Sequence, residues 1–111
     1  MTLRPLDLDP THCLIGGTWA PTDAGETLAL IDPSDGSTLC EIARGKTTDI
    51  DRAVTAARAA FDGPWGRSTA VERGRILSKI GALVLEHTET LAELEARDVG
   101  KPLSQARADV I

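Results

Sequence analysis

An α/β chain, with a β-rich front third followed by helices, is predicted by three observations. Up to Ala43 the apolar residues come in short runs parted by Gly, Pro and Asp. From Thr47 the apolar period changes to 3.6, and Thr/Asp or Thr/Glu pairs spaced like capping boxes stand where helices should open. In order, Cys13-Leu14-Ile15, Gly16-Gly17 and Thr18-Trp19-Ala20 read as a hairpin, because paired glycines accept the positive φ of a type I′ turn. Trp19 is its expected packing anchor. Leu28-Ala29-Leu30-Ile31 forms the next strand, Asp32-Pro33-Ser34-Asp35-Gly36 a turn, and Thr38 to Ala43 a further strand.

Ile50, Ala53, Val54, Ala57 and Phe61 share one face of the first helix, which opens with the pair Thr48/Asp51 and ends at Gly63-Pro64. A second helix starts near Thr69, buries Ile76, Leu77, Ile80, Leu83 and Val84, and stops near His87. Thr90 with Glu93 opens a shorter helix to about Asp98, and Gly100 stops it. A last helix runs from Pro102, with Leu103, Ala106 and Val110 as its stripe, and Ile111 carries no stop signal. That stripe needs a cover, which predicts further sequence beyond residue 111.

The 111 residues are 41% hydrophobic and 26% charged, as in folded soluble proteins, but one Phe, two Trp and no Tyr leave the burial to aliphatics. Seventeen acidic against twelve basic residues, with no basic cluster, disfavour nucleic acid as a partner. No apolar run approaches a membrane span, and the first ten residues lack a basic and an apolar leader region, so a cytoplasmic protein with no membrane partner is expected. Cys13 and Cys40 have no CxxC spacing and read as structural thiols.

Gly45-Lys46-Thr47 imitates the end of a phosphate-binding loop. The motif's first glycine would fall at Cys40, inside a strand, so a strand-to-helix turn is the better reading. His12 and Cys13 are neighbours on a strand and point to opposite faces, which argues against a catalytic pair. His87 suits a helix C-terminus. Asp98 breaks a local rule, because a carboxylate in a helix's last turn meets the negative end of the dipole. Lys101 could compensate it, it could cap the helix from Pro102, or it could supply an oxygen to a hard cation.

The order LIGGTWAP, LIDPSDG, DIDRAVTAARAAFDGPWG, ERGRILSKIGALVLE, LAELEARDVGKPLSQARADV closely resembles the N-terminal part of the NAD(P)-dependent aldehyde dehydrogenase superfamily, over about residues 13 to 110. The resemblance implies an extension at 1–12. It implies that 13–111 form an incomplete cofactor-binding domain, with β-hairpin and strands followed by helices flanking a Rossmann-like core. Full-length members oxidise aldehydes to acids with NAD or NADP through a Cys thiohemiacetal and thioester, and form homodimers or homotetramers. Their catalytic Cys, Glu and Asn and the glycine motif at the cofactor have no counterpart here. This stretch alone is therefore expected to be inactive and to bind neither cofactor nor aldehyde.

One ligand role carries over. Several members, betaine-aldehyde-like enzymes among them, hold a structural Na+ or K+ through two carbonyls before the DP dipeptide and the Asp of DxGKP, here Leu30, Ile31 and Asp98. A further carbonyl of that site comes from later sequence. The competing readings are a stand-alone interaction module and a remnant without function.

Overall fold

The computed structural model describes residues 9–111 and is α/β. Four strands, β1 (His12–Ile15), β2 (Thr18–Pro21), β3 (Thr27–Ile31) and β4 (Thr38–Ala43), precede five helices. These are α1 (Thr47–Asp62), α2 (Pro64–Arg67), α3 (Ala70–Glu86), α4 (Thr88–Val99) and α5 (Leu103–Val110). The strands form two separate ribbons, β1 with β2 and β3 with β4. Among the described residues, positions 9–30 and 40–69 make one compact unit and 31–39 and 70–111 another. Of the expected extension at 1–12, positions 1–8 lie outside the described residues. No helix described is long and apolar enough to cross a membrane.

In the first unit β1 and β2 pair antiparallel, with Leu14 opposite Trp19 and Ile15 opposite Thr18. Gly16 and Gly17 take φ of 61° and 80°, the conformation expected of the turn. Trp19 does not anchor this hairpin: it is 51% exposed. The reason lies in α1, which meets the hairpin through its small residues, so that a Cβ on Gly16 would sit 3.7 Å from the Ala56 Cβ. Ala53 and Ala56 are half-buried, while Ile50, Val54 and Phe61 on the neighbouring arc are exposed.

The cap of α1 is displaced from its expected place. Helix α1 begins after Lys46, and the N3 residue Asp49, not Asp51, carries the capping carboxylate. Its Oδ2 accepts the Lys46 N–H at 3.0 Å and its Oδ1 accepts the Asp23 N–H at 2.9 Å, tying the turn after β2 to the helix start. The side chain is 4% exposed, with Arg52 Nη1 3.7 Å away. The Lys46 and Asp23 N–H groups, with Arg52 behind them, hold the Asp49 carboxyl below its ordinary value.

A depressed folded-state pKa means stability that is present above the ordinary carboxylate range and lost as pH falls through the lower, folded value. Asp49→Ala should therefore lower the thermal midpoint at neutral pH by on the order of 5 °C, read by far-UV circular dichroism. The gap to the parent should narrow as the solution is acidified. A gap independent of pH would mean that the ionised carboxylate is not what holds the turn.

Gly63-Pro64 does end α1, but Pro64 at a first helical position also starts the single turn α2, which the periodicity did not show. In the second unit the break at His87 is one residue long. The His87 N–H still donates to Leu83 and Val84, and α4 opens at Thr88, before the Thr90/Glu93 pair. His87 is the N-cap residue of α4, without a side-chain capping bond. The fully buried apolar residues are small: Ala92 on α4 and Ala106 on α5 are 0% exposed, which lets these two helices approach closely. A bidentate pair from Arg107 to Glu89, at 2.8 to 3.1 Å, adds to the helix pair.

Candidate functional site

Two turns in the second unit carry the residues with chemical interest. The first follows β3: the Asp32 N–H donates to the Ser37 carbonyl, the Gly36 N–H to the Asp32 carbonyl, both at 2.8 Å. Asp32 is 7% exposed, and its Oδ1 accepts the Ser34 N–H at 2.8 Å. This Asx turn is why an Asp precedes Pro33-Ser34 here. The second turn ends α4. Gly100 adopts the left-handed conformation, φ 72° and ψ 20°, and its N–H donates to the Ala96 carbonyl at 2.9 Å.

The two turns touch. A Cβ on Gly100 would lie 3.0 Å from Pro33 Cγ and 3.6 Å from its Cβ. Lys101, next in sequence, reaches Glu95 Oε1 at 2.7 Å and Asp109 Oδ2 at 2.5 Å, bracing the turn between α4 and α5. The hydrogen bonds to Asp109 and Glu95 raise the Lys101 ammonium above the ordinary lysine range. An open cleft of about 380 Å³ beside the turns is bordered by Asp32, Ser34, Glu93, Arg97 and Lys101. Charges of both signs line it, and the Asp32 carboxylate is already engaged by its own turn.

Of the three expected cation ligands, Ile31 and Asp98 belong to this unit, and Leu30 is the last residue of the neighbouring stretch. Leu30 is half-buried, Ile31 is 46% exposed, and Asp98 is exposed in the last turn of α4. Lys101 answers to Glu95 and Asp109 in the ion pairs, so the idea that it compensates Asp98 finds no such pair. One carboxylate with backbone carbonyls is a hard-oxygen donor set, suited to an alkali cation and unsuited to a soft metal. Among the described residues, no group of three or more His, Cys, Asp and Glu could hold a metal ion.

At Gly45-Lys46-Thr47 the Asp49 carboxylate accepts the Lys46 N–H, and the Lys46 ammonium pairs with Glu26. His12 Nδ1 lies 3.0 Å from Asp9 Oδ2. Cys13 and Cys40 are both free thiols, half-buried. Sequence reasoning missed the two buried carboxylates, Asp32 and Asp49. Their signals were Asp-Pro-Ser for an Asx turn and an acid three residues after Lys46.

Residues 19–111 match the aldehyde dehydrogenase family. Aldehyde dehydrogenase family 2 member B4, mitochondrial, of Arabidopsis thaliana is 44% identical over 97 residues, covering 86% of this chain and 18% of that protein. Among solved structures, betaine aldehyde dehydrogenase of Staphylococcus aureus in complex with NAD+ superposes with a TM-score of 0.89 at 34% identity, over 94% of this chain and 21% of that one. A mutant aldehyde dehydrogenase of Bacillus cereus gives a TM-score of 0.87 at 37% identity, over 91% and 21%. The chain thus spans about a fifth of the length of these relatives.

Proposed function

The chain belongs to the aldehyde dehydrogenase family, and from that premise we propose that it is the N-terminal scaffold of a longer enzyme that oxidises an aldehyde to a carboxylate with NAD+ or NADP+. The observation that carries the reading is the superposition of nearly all of this chain on one fifth of the NAD+ complex from Staphylococcus aureus. In the longer enzyme the nicotinamide accepts hydride, and the cysteine, glutamate and oxyanion-stabilising groups belong to other segments. Residues 13–111 then form part of a Rossmann-like cofactor-binding domain. Their contribution is to hold helices in place, which agrees with the half-buried thiols of Cys13 and Cys40 and with the His12 ring seated beside Asp9.

The purified 111-residue chain should show no aldehyde-dependent reduction of NAD+ or NADP+ above a protein-free blank. Turnover that survives repurification would overturn this scaffold reading, because it would require a nucleophile and base within this sequence.

The same proposal assigns a structural Na+ or K+ to the carbonyls of Leu30 and Ile31 and the carboxylate of Asp98. The contact of Gly100 with Pro33, inside one compact unit, supports it, since Pro33 stands two residues after Ile31 and Gly100 two residues after Asp98. Asp98→Ala in the longer enzyme should remove most of the protection that Na+ or K+ gives against thermal inactivation, relative to choline chloride of equal ionic strength. Protection equal to that of the parent would return Asp98 to a merely exposed helix-end carboxylate.

A further inference from the structure

We draw no further inference here: the strongest candidate, the broad apolar arc of α3 formed by Leu77, Ile80 and Leu83 with open space beside Gly74 and Gly81, is an unpartnered helix face, and nothing in the structure shows what covers it.

Discussion

At micromolar concentration the purified chain is expected to elute from a sizing column as a soluble oligomer and to enhance the fluorescence of an apolar dye such as ANS. Helix α3 is the main reason. Val71, Leu77, Ile80 and Leu85 are between 52% and 63% exposed, although the helix also carries Glu72, Arg73, Arg75, Ser78, Lys79 and Glu86. Large aliphatic side chains left this exposed on a helix are ones that proteins usually cover. On α1, Ile50, Val54 and Phe61 are 61% to 65% exposed, with only the Arg58 guanidinium over the Phe61 ring. Each such side chain gains about 1.5–3 kcal/mol when fully buried, so a second copy offers a strong and unspecific way to cover them.

The pair Leu77→Lys with Ile80→Glu should shift elution toward a monomer and reduce dye binding while leaving the far-UV spectrum unchanged, because half or more of each side chain faces solvent. A compact monomer with a sharp thermal transition and no dye binding in the unaltered chain would contradict the expectation. That outcome would favour a self-sufficient interaction module over a scaffold segment.

The period change at Thr47 was enough to divide strands from helices, since 2.0 and 3.6 are set by backbone geometry and need no tertiary information. The Gly16-Gly17 turn and the Gly100 stop were legible for the same reason: both glycines of the first and the single one of the second take positive φ. Caps were less legible. Thr48/Asp51 and Thr90/Glu93 fit the pattern, yet Asp49 won at α1 because its carboxylate also collects the N–H of Asp23, twenty-six residues away. No local pattern encodes that bond. Apolar periodicity marks what should be covered, as at Trp19 and the α1 stripe, whereas the covering surface need not lie in the same stretch of chain. For the site, DP and DVGKP were visible as motifs. Their contact through Pro33 and Gly100 became visible only in the fold.

That contact makes Gly100 a position where one methyl group should be costly. Two effects add there. An L-residue at φ 72° occupies the left-handed region, which costs about 1 kcal/mol or somewhat more relative to glycine. The new Cβ would also stand 3.0 Å from Pro33 Cγ, closer than carbon atoms comfortably approach, and Pro33 is a ring that cannot swing aside. Gly36 supplies the comparison, with φ of 77° but nothing within 4 Å of an added Cβ. In the monomeric Leu77→Lys, Ile80→Glu background, urea unfolding should show Gly36→Ala costing about 1 kcal/mol and Gly100→Ala about 2. Adding Pro33→Ala to Gly100→Ala should recover part of the difference, because it removes the Cγ and leaves the backbone term. If the two glycine replacements cost the same, the backbone conformation alone would explain both, and the close seating of DVGKP on the Asp32-Pro33 turn would carry no energetic weight. If instead the larger loss at Gly100 disappears with Pro33→Ala, the two motifs are energetically coupled. The turn that bears Asp98 is then held by the same contact that fixes the residues following Ile31.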